Sequence, residues 1–306
     1  MTAALLTVRF IHFAAAMAAF GIAAFRVYGL AGVPDSAARN AFDASLRRAT
    51  LAGSAVALVS ALLVVPCVAA EMVGRAAAFG PPVLEAVLLD TSFGHAWSAH
   101  VALAAVLVLL SALPPRHEFA GATAIAALLT LASLGWVGHA AMGQGVGGIG
   151  REINQMAHLA AGGLWLGGLL PLYLLLRRAS AARDTALVPV ARMALPHFSQ
   201  MGYAAVALVA FTGAVNAVLL VGSLRALVGT PYGRLLLVKL ALFGAMVALA
   251  LSNRFRLLPR LRASGDATRP LRALCRSVAV EQALGLALLA VVAVLGTWPP
   301  AILVTR

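Results

Sequence analysis

The chain has 306 residues, of which 62% are hydrophobic and 11% charged, and its mean hydropathy is +0.96. Soluble domains are about half apolar and about a quarter charged, so the composition excludes a water-soluble globular protein and a disordered chain. The formal net charge is +13, and 22 of the 23 basic residues are Arg. In so apolar a chain this charge indicates a membrane protein with Arg concentrated on one side of the bilayer, and no nucleic-acid partner.

A helix that crosses a membrane needs about 20 mainly apolar residues, and eight stretches of the chain meet that length. In chain order they are Leu5–Leu30, Thr50–Ala70, Gly94–Leu113, Phe119–Ala141, Ile153–Leu176, Phe198–Val221, Leu235–Ser252 and Val278–Trp298. Two further segments, Val83–Leu89 and Thr185–Met193, are predicted to form short surface helices. We therefore predict an all-α transmembrane bundle, one integral membrane domain over residues 1–306.

The first span is expected to stay uncleaved, because its apolar run continues past Arg26 and no polar domain follows it. The Arg content of the loops predicts the orientation. The loops after spans one, three, five and seven hold fifteen Arg, and those after spans two, four and six hold four. Cytoplasmic loops carry the excess of basic residues, so both termini are predicted to lie outside, in the periplasm. The Arg also favour contact with the anionic heads of the lipid bilayer.

Polar groups inside a membrane are costly and often functional. In the predicted topology five of the seven His fall in the outer leaflet, on four different spans: His12, His95, His100, His139 and His158. A single His at a helix end is more often an interfacial residue than a ligand. Five on one side of an apolar protein favour a binding site.

The imidazoles are accompanied by a carboxylate and a thioether. Glu71 ends the second span, and Met142 lies three residues after His139, on the same helix face. Imidazole with thioether is a ligand set of copper, and thioether favours the cuprous ion, Cu⁺, over Cu²⁺. His139 and His158 flank one short loop and are the strongest predicted pair, since helices joined by a short loop are neighbours.

His95 and His100 are five residues apart, about 140° around a helix, so at most one of them is expected to join a given site. The paired outer His also fit a second class of protein, in which two axial His hold a haem b for electron transfer or metal reduction. No phosphate-binding GxxxxGK[ST] motif is present to supply energy, and an enzyme is not predicted.

Three more polar residues fall within predicted spans. Lys239, the only Lys, either snorkels to the outer interface or serves as a charge that pairs with Glu71 or gates a cation path. Asn216 is expected to make a hydrogen bond between helices. Glu281 lies near the inner end of the last span and is expected to pair with an Arg such as Arg276 or Arg254.

Gly138-His139-Ala140-Ala141, and the run from His158 through Trp165 to Pro171, resemble the central signature of the CopD/PcoD copper-resistance membrane proteins. Further segments that match are Arg9–His12, Thr91–Gly94, Phe198–Ser199, Thr212–Gly213 with Asn216, Tyr232–Arg234 with Lys239, and Asn253–Arg254. The resemblance implies a multi-pass inner-membrane protein of bacteria that moves copper from periplasm to cytoplasm. It also implies a periplasmic partner, the copper carrier CopC.

In that resemblance His12, His139 and His158 take the ligand role, and His95 and His100 match less closely. The hypothesis that follows is a copper permease or membrane copper-binding protein with an outer-leaflet site of His12, His139 and His158, aided by Met142 or Glu71. Its inward movement of a cation would be favoured by the membrane potential. A further alternative is an assembly partner for CopC or a respiratory complex, with no transport of its own.

Overall fold

The computed structural model describes residues 3–74, 77–114, 117–137, 145–181, 185–263 and 267–304. Those residues form helices and no strand. The α-helices are α1 (Ala3–Tyr28), α2 (Ala37–Val73), α3 (Pro81–Leu89), α4 (Ser92–Ala112), α5 (His117–Ala132), α6 (Gly145–Gly162), α7 (Gly168–Ala179), α8 (Val188–Val221), α9 (Leu224–Gly229), α10 (Pro231–Ser252), α11 (Leu258–Ala263), α12 (Thr268–Leu295) and α13 (Ala301–Val304). Eight helical stretches are long and apolar enough to cross a membrane, which confirms the predicted all-α bundle.

The second span is much longer than predicted, because α2 begins at Ala37 and not near Thr50. The Ser36 hydroxyl accepts a hydrogen bond from the Arg39 backbone N–H at 3.1 Å and caps the helix. Phe42 and Leu46 on this early part are fully buried. A basic segment that looks like a loop in sequence is therefore helical, since its apolar residues pack inward.

The predicted surface helix at Val83–Leu89 is present as α3. The one predicted at Thr185–Met193 is wrong as a separate element. A short 3-10 turn, Thr185–Leu187, leads directly into α8, where Val190 and Ala191 are buried. Arg192 lowers the local hydropathy, so the sequence pattern did not show that the helix is continuous here.

Two spans contain a π-helical turn. Gly163–Gly167 joins α6 to α7, and Asn253–Leu257 joins α10 to α11. A Cβ atom on Gly21 of α1 would overlap the backbone of Gly167, so the first π turn packs directly on α1. Short π turns of this kind are frequent at functional sites.

Helix α1 is the central element of the bundle. It contacts α2, α5, α7 and α12, and buries Phe20, Ile22 and Phe25 among them. Large apolar side chains elsewhere point outward, including Leu109, Phe211 and Val218. An apolar exterior of this kind suits contact with lipid.

Candidate functional site

The structure brings His12 of α1 and His100 of α4 face to face. Their Nε2 atoms are 3.0 Å apart, and each residue is 1% exposed. Helix α2 supplies the contacts of the other ring nitrogen of His12, whose Nδ1 lies 3.0 Å from the Ala57 carbonyl oxygen and 3.0 Å from the Ser60 hydroxyl. His100 Nδ1 lies 2.8 Å from the Ser133 hydroxyl, in the 3-10 turn after α5.

These neighbours fix the tautomer of His12 and favour one tautomer of His100. A carbonyl oxygen only accepts, so His12 Nδ1 carries the hydrogen and donates it to Ala57. The Ser133 hydroxyl lies 2.8 Å from the Thr130 carbonyl oxygen. When it donates its hydrogen to that carbonyl, its oxygen accepts from His100 Nδ1. An uncharged imidazole carries one hydrogen. In this arrangement both Nε2 atoms face each other with lone pairs.

Two facing lone pairs repel unless a positive charge lies between them. Either a proton or a metal ion satisfies this arrangement. A metal–imidazole bond is about 2 Å long, so one ion between the rings would set the nitrogens roughly 4 Å apart. The pair reaches that separation if each ring moves by about half an ångström. The Nδ1–H contacts are the outer hydrogen bonds that commonly orient metal-bound His.

Aromatic and cationic groups enclose the pair. The Trp97 ring centroid is 5.6 Å from that of His12 and 4.9 Å from that of His100, and its indole N–H donates to the Ala61 carbonyl at 2.9 Å. Arg9 lies about one turn from His12 on α1, with its guanidinium 5.6 Å from the centre of the Phe13 ring. The pair is dry, and a cationic side chain lies close to it.

Those of the other predicted metal ligands that the structure describes are not gathered at this pair. His139 and Met142 lie outside the described residues. His95 is exposed, and its Nε2–H donates to the Leu89 carbonyl at 2.8 Å, which caps α3. Glu71 is exposed at the end of α2. Among the described residues no group of three or more His, Cys, Asp and Glu side chains is placed to hold a metal ion.

His158 belongs to a separate polar cluster between α6 and α8. Its Nδ1 is 2.9 Å from the Thr212 hydroxyl. Asn154 donates to Asn216 at 2.9 Å, and Asn216 donates to Gln155 at 3.0 Å. Asn216 thus makes interhelical hydrogen bonds.

Lys239 of α10 lies close enough to His158 to act on it electrostatically. Its side chain is half-buried. The structure therefore associates this Lys with the α6–α8 cluster and with His158.

Glu281 of α12 is 2% exposed. The sequence suggested that it pairs with an Arg, and the structure shows no such pair among the described residues. Its Oε1 accepts from the Trp165 indole N–H at 3.0 Å, and its Oε2 accepts from the Asn253 amide at 3.3 Å. Within the described part of the chain Glu281 forms no ion pair. Trp165 and Asn253 are neutral donors, and they bond to the carboxylate where an Arg was expected. The two π turns direct their side chains toward α12.

The alternative of a haem between two His does not fit the described pair. A haem needs its macrocycle between the two axial nitrogens, about 2 Å from each along the metal bonds. Here the nitrogens are 3.0 Å apart, and Trp97, Ala57 and Ser60 pack around the rings. The residues leave no slot for a planar group of that size.

Sequence reasoning missed Ser60, Trp97 and Ser133 as part of the site. Each is a common residue in an apolar helix, and their positions relative to His12 and His100 depend on how α1, α2, α4 and α5 pack. From the sequence, only the His residues could be recognised as candidates for this site.

Comparison with known proteins gives the family of the chain. Residues 1–149 match the family described as "Copper resistance protein D-like, N-terminal domain", and residues 192–295 match "Copper resistance protein D". The chain is 32% identical over 302 residues to Copper resistance protein D of Pseudomonas syringae pv. tomato, covering 96% of each chain.

Two more relatives are similar. Inner membrane protein YebZ of Escherichia coli (strain K12) is 32% identical over 300 residues, with 96% of this chain and 98% of YebZ covered. Copper transport protein CutJ of Bacillus subtilis (strain 168) is 30% identical over 263 residues, which span 82% of this chain and 46% of CutJ. No solved structure matches. With two family descriptions and near full-length relatives in agreement, this chain belongs to the copper resistance protein D family.

Proposed function

We propose that the protein binds a cuprous ion between His12 and His100 and moves it from the periplasm to the cytoplasm across the bacterial inner membrane. The observation that carries the proposal is the pair of facing Nε2 atoms, 3.0 Å apart and shielded from water. The family membership supplies copper as the ion.

The chemistry of the pair favours Cu⁺ over Cu²⁺. Cu⁺ accepts two ligands in line, whereas Cu²⁺ prefers four in a plane. The described site offers two imidazole nitrogens and no carboxylate. Imidazole suits copper generally, and the dry surroundings avoid the oxygen ligands that Cu²⁺ would gather.

The route inward follows α1, which carries His12 at one end and packs through its middle against the rest of the bundle. In the predicted orientation His12 lies on the periplasmic side. The membrane potential then favours inward movement of a single positive charge. A CopC-like periplasmic carrier would deliver the ion, and His139 and Met142, near the predicted outer end of the fourth span, would receive it.

The test is Cu⁺ binding by purified protein in lipid nanodiscs, measured by competition with a chromophoric chelator. Wild-type protein is expected to bind one Cu⁺ at the pair, with an X-ray absorption spectrum of two nitrogen neighbours in line. The double variant H12A/H100A is expected to lose this ion and to lose copper uptake into proteoliposomes. Unchanged binding and uptake in the double variant would overturn the assignment.

Matched single variants separate this pair from the other predicted ligands. His95→Ala removes an exposed capping His and is expected to leave Cu⁺ affinity unchanged. His139→Ala and His158→Ala are expected to slow uptake while the Cu⁺ at the pair is retained. Loss of that ion in either variant, with His12→Ala binding normally, would move the site to His139 and His158.

A further inference from the structure

Two π turns in the described part of the bundle each contribute a donor to Glu281. One donor to its carboxylate, Trp165, belongs to Gly163–Gly167, and the other, Asn253, is the first residue of Asn253–Leu257. Helical irregularities of this type commonly mark functional positions. Packing alone does not require a carboxyl group at this position, since apolar side chains would pack as well at lower cost.

The carboxyl group has no cationic partner in the described part of the chain. The titratable groups that α12 and the elements packed on it bring toward this end of the bundle include Arg26, Tyr28, Tyr173, Arg177, Arg178, Arg254, Arg256, Arg260, Arg262, Cys275 and Arg276. None of them forms an ion pair or a hydrogen bond with Glu281. A buried charge without a partner is expensive. The site is therefore suited to a carboxyl group that is neutralised by a proton or by a passing cation.

The neighbouring amide accommodates both states. Asn253 Nδ2 donates to Oε2, while Asn253 Oδ1 is buried and has no hydrogen-bond partner among the described residues. If the amide turns over, Oδ1 accepts the O–H of a protonated Glu281, since an acid is a donor and an amide oxygen an acceptor. One residue thus satisfies the carboxylate in one orientation and the acid in the other.

Along the direction of α1, Glu281 lies farther from the start of the helix than the His pair does. The π turn that holds Trp165 packs on α1 at Met17 and Gly21, since Gly167 touches both. His12 is five to nine residues away along α1, or roughly 7–14 Å at the helical rise per residue. In the proposed orientation this places Glu281 between the copper site and the cytoplasm.

We propose that Glu281 is the release site of the permease and holds either a proton or the passing Cu⁺. The proposal rests on the proposed function. When Cu⁺ arrives, the acid O–H bond breaks, the proton leaves to the cytoplasm, and the carboxylate balances the charge of the ion. When a cytoplasmic proton binds again, Cu⁺ is released to the same side. Each cycle moves one Cu⁺ and no net proton.

The first experiment is infrared spectroscopy of copper-free protein in nanodiscs across roughly pH 5–9, because burial can raise the pKa of a carboxyl group by several units. Wild-type protein is expected to show a protonated-carboxyl band that disappears as pH rises and is absent from Glu281→Gln. Glu85→Gln, which removes an exposed carboxyl group on α3, is the matched control and is expected to keep the band. A band of equal size in Glu281→Gln would overturn the proposal.

The second experiment measures copper uptake into proteoliposomes at the same pH values. The wild-type rate is expected to change several-fold with pH, and Glu281→Gln to have a rate that does not depend on pH. Its Cu⁺ affinity at the His pair should remain within about twofold of wild type. A pH profile equal to wild type in this variant would contradict the proposal.

Trp165→Phe serves as a second variant should Glu281→Gln fail to fold. It removes one hydrogen bond to the carboxylate and is expected to increase the protonated fraction at a given pH. An unchanged fraction would count against the proposal. The infrared result does not depend on copper, so it stands even where H12A/H100A shows that the proposed copper site is wrong.

Discussion

The His12–His100 pair and the Glu281 site are equally buried, and their electrostatics are opposite. The pair presents two uncharged nitrogen ligands, each held by an oxygen of a neighbouring helix. The Glu281 site presents an acidic group surrounded by neutral donors. The first can hold a soft cation without a counter-charge, and the second can neutralise a cation without holding it through soft ligands. In the proposed cycle this difference separates binding from release.

The two regions are joined by α1. His12 lies toward its first end, and Gly21 contacts the π turn that carries Trp165. The glycines at this crossing allow the two backbones to touch. A change at the crossing should therefore disturb both regions, whereas a change within one region should leave the other intact.

The largest effect is expected from His100→Ala. It removes one of two ligands, so Cu⁺ affinity should fall by on the order of 100-fold or more, beyond the 10–100-fold that loss of an outer hydrogen bond costs. Chelator competition measures the affinity. The infrared band of Glu281 should not change. A simultaneous loss of the band would show that the two regions are not independent.

Ser133→Ala should have the next largest effect on the pair. It removes the acceptor that holds His100 Nδ1–H, and loss of such an orienting contact typically costs 10–100-fold in affinity, about 1.4–2.7 kcal/mol. Ser111→Ala is the matched control, because the Ser111 hydroxyl is buried and has no partner among the described residues. Equal affinities in the two variants would exclude an orienting role for Ser133.

Gly21→Ala should lower the stability of the bundle and, with it, the Cu⁺ affinity of the His pair. The added Cβ would overlap Gly167 and Gly168, and overpacking typically lowers the free energy of unfolding by about 1–3 kcal/mol. The measurement is thermal unfolding in detergent, with Cu⁺ affinity recorded in parallel. Gly202→Ala is the control, because a Cβ there meets nothing within 4 Å. Similar melting of the two variants would mean that the crossing is not tight.

The smallest effect is expected from His95→Ala. This side chain is exposed and caps α3 through the Leu89 carbonyl, so its loss should lower stability by about 0.5–1 kcal/mol, the net worth of one hydrogen bond. Cu⁺ affinity should stay within about twofold in the chelator assay. A larger fall would extend the copper site to the start of α4.

The spans were predictable because hydropathy is a local property of the sequence. Eight apolar stretches of sufficient length correspond to eight helical spans among the described residues. The ends of the spans were not predictable, since α2 and α8 extend into Arg-containing segments whose apolar face is buried by neighbouring helices. The π turns were also missed, because nothing in the local pattern distinguishes Gly163–Gly167 from an ordinary helical turn.

The sequence by itself determined that the chain is a helical membrane protein and that its His, Lys239 and Glu281 are the residues worth attention, since polar groups are rare in such a chain. Only the tertiary structure decided which of them meet. His12 faces His100, His158 bonds to Thr212, and Glu281 accepts from Trp165 and Asn253. Each contact joins helices that are distant in sequence. Which faces of those helices pack together depends on glycine contacts and π turns across the whole bundle, and these are not visible in any one segment.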